Sequence, residues 1–149
     1  MIRIFAAVAA LALGATMVAA QQDVPKEREN LMKGMGKAFY GTLARMARDQ
    51  APYNQEQAAA ALTELEALSK KLPDVFVEAG KGDVPDSRFG TSPKVWENKA
   101  DFEAKVAGMK KAIDDQKGKI KDLDTLKASA KAIGDACDSC HEGYRIRKS

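Results

Sequence analysis

The sequence predicts an all-α protein folded as an antiparallel four-helix bundle. Three observations carry this prediction. Apolar residues recur at spacings of three and four in four separate segments, the signature of one buried helix face. Capping residues and prolines punctuate the ends of those segments. No segment shows the strict alternation of a half-buried strand, and no internal repeat or low-complexity tract is present. A chain of 149 residues suits one domain around one core.

The extreme N-terminus stands outside that domain. Met1-Ile2-Arg3 is a short basic start, and Ile4 to Val18 is apolar and Ala-rich. Small residues, Val18-Ala19-Ala20, precede the polar Gln21-Gln22-Asp23. This is the layout of a secretory signal peptide over residues 1–20, cleaved after Ala20. The apolar run is too short to make a comfortable transmembrane helix. The expected mature domain is residues 21–149, exported to the periplasm, with no later segment long and apolar enough to span a bilayer.

The first helix is expected from about Pro25 to Arg48, with Met32, Met35, Phe39, Leu43 and Met46 along one stripe. Pro25 suits a first helical turn, where its missing N–H costs nothing. The stretch Gln50-Ala51-Pro52-Tyr53-Asn54 is a break. Asn54 can cap the second helix, with Gln57 as the return partner of a capping box. That helix places Ala58, Ala61, Leu62, Leu65, Leu68 and Leu72 on one face, and Pro73 is expected to stop it. An irregular stretch follows from Pro73 to Thr91, long enough to cross an end of the bundle. Ser92 reads as an N-cap with Pro93 at the first helical position. The third helix then carries Val95, Phe102, Val106, Met109 and Ile113, and weakens near Gly118. Asp124 is the expected cap of a fourth helix bearing Leu126, Ala130, Ile133, Cys137, Cys140 and Tyr144.

Charge excludes one class of partner. The formal charge is +3, and the leader carries one base, Arg3, and no acid, so cleavage lowers that value by one. Acids and bases alternate along every segment, with no basic stripe interleaved with aromatics, so nucleic acid is not an expected partner.

The chemistry lies on the fourth helix. Cys137-Asp138-Ser139-Cys140-His141 is a C-x-x-C-H motif, the attachment signature of c-type haem. Residues three and four apart on a helix share a face. Both thiols can therefore reach one side of a porphyrin, and His141 is held beside them as an axial ligand to iron. The implied cofactor is one haem c per chain, covalent through two thioethers, near one end of the bundle. A thioredoxin-like redox pair would sit after a strand in a β-α setting, which is absent here. One cysteine pair and one adjacent histidine cannot close a tetrahedral zinc shell without further ligands, and the chain has no other Cys or His. Both cysteines and the sole histidine fall within five residues, which argues against coincidence. With that histidine committed to iron, no Ser/His/Asp constellation remains, and an enzyme of the hydrolase or transferase kind is not expected.

One histidine excludes bis-His ligation within a monomer. Methionine sulfur is the natural soft ligand for the other side of the iron. The mature candidates are Met32, Met35, Met46 and Met109. In an up-down bundle the start of helix one lies beside the end of helix four, so Met32 or Met35 can face His141. Met46 should sit about three turns away.

A C-x-x-C-H near the end of a four-helix chain resembles the class II cytochromes c, the cytochrome c-prime family. Arg28-Glu29-Asn30-Leu31-Met32-Lys33 is similar to that family's opening pattern in helix one. Gln50-Ala51-Pro52-Tyr53, Pro93-Lys94-Val95-Trp96 and His141-Glu142-Gly143-Tyr144-Arg145 are similar to its first turn, third-helix start and ending. The resemblance implies one of two activities. In the low-spin branch a helix-one methionine completes the iron and the protein carries electrons between redox partner proteins. In the five-coordinate, high-spin branch that face stays open and binds nitric oxide or carbon monoxide. Met32 occupies the position common to both roles. The stretches Lys117 to Leu126 and Ser92 to Trp96 look closer to the low-spin branch, which favours His141 and Met32 as the metal ligands. The resemblance also implies that Arg28 pairs with a haem propionate, that Arg145 lies near His141, and that homodimers can form through helices one and two. On residue type alone, Arg28 reads equally well as a solvated surface base.

Overall fold

The computed structural model describes residues 24–148. The signal peptide and cleavage site expected over residues 1–20 lie outside them. Four long helices form an antiparallel bundle: α1 over 24–47, α2 over Gln55–Ser69, α5 over Lys99–Asp114 and α6 over Leu123–Tyr144. Two one-turn helices, α3 (Leu72–Val75) and α4 (Lys94–Glu97), lie in the long connection between α2 and α5. Each long helix packs against two others, in the cyclic order α1, α2, α5, α6. Among the described residues, no helix is long and apolar enough to cross a membrane.

The expected helix faces are the buried ones. Leu43 and Met46 of α1, Leu65 of α2, Ile113 of α5, and Leu126 and Ile133 of α6 are each at most 1 % exposed. Midway along α1 the backbone widens into a π turn over Phe39–Leu43, with the Ala44 N–H reaching back to the Phe39 carbonyl. There Phe39 lies against Gly134 of α6, where an added Cβ would stand 3.2 Å from Phe39 Cζ. The small residue lets the two helices approach at the widened turn.

Several helix ends differ from expectation. Asn54 caps α2 as read, its Oδ1 accepting from the Gln57 N–H. However, α2 ends at Ser69, and Pro73 falls in the first turn of α3, where proline is tolerated, rather than acting as the stop. The third helix is broken at Asn98, whose ψ of 51° leaves the helical region, so Val95 belongs to α4 and Phe102 to α5. Ser92 does accept from the Lys94 N–H at 3.3 Å. The cap of α6 is Asp122 instead of Asp124. Its carboxylate accepts from the Thr125 N–H at 2.8 Å, and the Thr125 hydroxyl accepts from the Asp122 N–H at 3.0 Å. This reciprocal pair satisfies two end groups at once, which Asp124 has no matching partner to do. Gly118, at φ 69°, makes the left-handed turn that separates α5 from α6.

The structure also contains strands that the sequence did not announce. Phe89–Thr91 (β1) pairs antiparallel with Arg145–Arg147 (β2), in the register Phe89 to Arg147, Gly90 to Ile146 and Thr91 to Arg145. The pairing continues past the strand, where the Lys148 N–H donates to Arg88 O at 3.1 Å and Lys148 Nζ donates to Val84 O at 2.7 Å. The tail thereby straps the long connection across the end of the bundle that holds the C-x-x-C-H motif.

Two outcomes test this account. Leu65→Ala removes a fully buried side chain from α2 and should lower unfolding stability by about 2–5 kcal/mol in a urea titration. Glu66 is held down to about 2 by the Lys117 and Lys70 ammonium groups. Its folded pKa is depressed, so the stability it adds is present above pH 4.5 and is lost as the pH falls toward about 2. Glu66→Gln should therefore lower the urea midpoint near neutrality and leave less further loss on acidification across that window.

Candidate haem site

At the strapped end the helices part around a cavity of about 540 Å³, within the range of about 300–1,000 Å³ usual for cofactor sites. Cys137, Cys140 and His141 of α6 line it, together with Met32 and Met35 of α1 and Met109 of α5. The α6 helix brings the motif to one wall by its own period, as the i, i+3 and i+4 spacing requires. The loop residues Asp83 to Thr91 close a further side.

The motif residues are in the protonation states that haem ligation and thioether chemistry would meet in a buried site. Burial pushes the Cys137 thiol up to about 11, with the charges of Asp138 and Cys140 adding to the effect. Burial likewise raises Cys140, which Lys105 partly offsets. A redox pair of the thioredoxin kind has the opposite character, with one thiol depressed by an electropositive setting. Burial lowers the His141 pKa, and the nearby Arg145 charge lowers it further, so the ring stays neutral and can donate a lone pair to a metal. Its Nδ1 is buried with no hydrogen-bond partner. Among the described residues, no group of three or more His, Cys, Asp or Glu side chains is placed to hold a bare metal ion. An isolated neutral imidazole beside two free thiols and an empty-sided cavity wall fits a metal that arrives inside a macrocycle.

The α1 wall shows which methionine is central. Its lining residues are Pro25, Arg28, Glu29, Met32, Lys33, Met35, Gly36 and Tyr40. At about 100° per residue they fan around a direction close to Met32 and Gly36, with Met35 at the edge of the fan toward the core. Met35 is 8 % exposed and belongs to the core cluster, whereas Met32 is half-buried against it. Gly36, one turn beyond Met32, would admit a Cβ with nothing within 4 Å. Met46 does not line the cavity, and its sulfur accepts from the Asn54 N–H at 3.3 Å.

Arg28 is not a surface residue. It is 5 % exposed and donates from Nη1 to Val75 O at 3.3 Å and Gly80 O at 3.0 Å, and from Nη2 to Gly82 O. Asp83 lies 3.5 Å from Nη2 and offsets the burial that lowers the Arg28 pKa. A guanidinium has more donors than these bonds use, and Arg28 also lines the cavity. Arg145 stands at the rim, with its Cζ 4.6 Å from the Phe89 ring centroid. Sequence reasoning missed Lys105, which lines the cavity and donates to Ser139 of the motif at 2.8 Å. It also missed Gly36, Arg88 and Phe89. An open helical glycine and a loop aromatic carry no chemical signature in the sequence.

Known proteins agree with this geometry. The family model described as Cytochrome C′ matches residues 23–145. A cytochrome c-555 from Bradyrhizobium diazoefficiens is 42% identical over 140 residues, 94% of this chain and 94% of that protein. A cytochrome c-556 from Rhodopseudomonas palustris is 42% identical over 149 residues, 99% of each. The NMR-validated structure of oxidized R. palustris cytochrome c556 superposes with a TM-score of 0.74 at 40% identity, covering 86% of this chain and 99% of that one. A bundle of four helices with a C-x-x-C-H cavity at one end, matched along nearly its whole length, places the chain in the cytochrome c′ family, with covalently bound c-type haem as its cofactor.

Proposed function

We propose that the protein is an exported electron carrier in which Cys137 and Cys140 would hold the haem and His141 and Met32 would be the protein ligands to its iron. The observation that carries the reading is the position of Met32 at the centre of the α1 cavity wall, facing a site whose other wall bears His141. The similarity to cytochromes c-555 and c-556 supports the electron-carrying role. The leader-like pattern over residues 1–20 supports export to the periplasm, with redox proteins as partners.

When bound, the haem supplies a one-electron iron couple. The protein's part is to fix its surroundings. His141 and Met32 offer ligands from two helices of one rigid bundle, so little has to move when the charge changes. The Met32 thioether favours the reduced state relative to a harder ligand. The apolar walls formed by Leu72, Phe76, Phe102 and Val106 disfavour the extra positive charge of the oxidised state. Arg28 and Arg145 add cationic edges suited to the propionates.

The absorption spectrum of the reduced protein tests the reading. Sharp low-spin bands, little changed by carbon monoxide, are expected. A broad high-spin spectrum that responds readily to carbon monoxide would show an open iron face and a gas-binding protein instead. Met32→Ala should convert the first spectrum to the second; persistence of low-spin bands would transfer the role to Met35 or Met109. Intact mass of the mature chain should show Gln21 as the first residue and a single covalent haem increment. That increment should be lost together with colour in Cys137→Ser/Cys140→Ser.

A further inference from the structure

The buried Arg28 belongs to a continuous stack that connects the two turns bearing the proposed axial ligands. Its Cζ lies 5.5 Å from the Phe76 ring centroid. Phe76 meets Phe102 at 4.8 Å between centroids, and Phe102 meets Tyr144 edge-on at 5.1 Å. Tyr144 is anchored in turn, its hydroxyl donating to Asp101 at 2.5 Å and its carbonyl accepting from the Ser92 N–H at 2.9 Å. Arg28 stands one helical turn before Met32 on the same face, and Tyr144 stands three residues after His141. The stack therefore runs from the Met32 turn of α1, through α3 and α5, to the His141 turn of α6.

We infer that this stack is a strut that sets the separation between Met32 and His141. This rests on the reading of Met32 as a ligand. Away from the cavity α1 and α6 pack directly, with Phe39 against Gly134. At the cavity end residues of both helices line the cavity, and the stack links them by way of Phe76 and Phe102. The Arg28 end is stiff because its guanidinium is clamped by the carbonyl of Val75 at the end of α3 and those of Gly80 and Gly82 in the loop after it. Gly80, the site of one of those carbonyls, packs so tightly on Val24 that an added Cβ would collide with it. Met32 could serve as a ligand opposite His141 only while the two helices keep their spacing. Arg28 and Phe102 line the cavity, and in the strut they are also positioning residues, acting through the helices that carry the ligands.

The test compares Arg28→Ala and Phe102→Leu with wild type, Met32→Ala and Leu65→Ala, all as haem-loaded protein. The readouts are spin state by absorption, carbon monoxide affinity of the ferrous form, and thermal midpoint. Leu65→Ala serves as a control for general destabilisation away from the cavity. The strut predicts that Arg28→Ala and Phe102→Leu gain high-spin character, and that their apparent carbon monoxide affinity rises about tenfold, because it scales with the fraction of iron left open. Arg28→Lys, which keeps the charge but lacks the planar fork that spans the three carbonyls, should fall between wild type and Arg28→Ala. Leu65→Ala should lose thermal stability with an unchanged spectrum. If Arg28→Ala and Phe102→Leu lower only the thermal midpoint and keep the wild-type spectrum, the strut is wrong and the Met32 reading stands. If Met32→Ala itself leaves the spectrum unchanged, the ligand reading fails and the strut falls with it. Should Arg28→Ala not load haem, Phe102→Leu decides by the same criteria.

Discussion

The bundle has to be closed at one end and open at the other. Four amphipathic helices left to themselves would bury their apolar faces along their whole length. Here Leu43, Met46, Leu65, Ile113, Leu126 and Ile133 do so and are fully sealed. Toward the N-terminal turns of α1 and the C-terminal turns of α6, the same faces line a cavity. A flat cofactor anchored to α6 needs that gap, and everything else at this end compensates for it. The long connection supplies a wall, the tail strand holds the connection in place, and the aromatic stack spans from helix to helix.

The polar groups at the open end follow from the same requirement. A guanidinium buried without partners would be costly. Arg28 instead is met by the carbonyls of Val75, Gly80 and Gly82. Asp83 meets both Arg28 and the Thr91 N–H, which joins the arginine to the end of β1. Burial that favours a neutral imidazole and neutral thiols is thus combined with a charge network kept to the loop side.

Most of the fold was legible because helix faces repeat locally. The stripes of Leu62 and Leu65, Val106 and Met109, and Leu126 and Ile133 are each contained within one segment, and each is buried. The chemical core of the site was equally legible, since Cys137, Cys140 and His141 carry their geometry in their spacing. What escaped depends on partners distant in sequence. The strands Phe89–Thr91 and Arg145–Arg147 are too short to alternate, and they exist only because the two segments meet. Arg28 reads as a solvated base until Val75 to Asp83 fold over it. Asp122 and Asp124 are equivalent as acids, and only the Thr125 hydroxyl distinguishes them. Met32 and Met35 stand on one stripe in sequence, but the cavity takes the first at its centre and the second at its edge.

The pairing of β1 with β2 has a consequence in time. Contacts between segments so far apart in sequence form late, because the intervening chain must be ordered before they are rewarded. The wall over the cavity therefore cannot lock until α5 and α6 are in place. The same three-residue strand that looks like a trivial end of chain is thus the latch on the wall over the cavity.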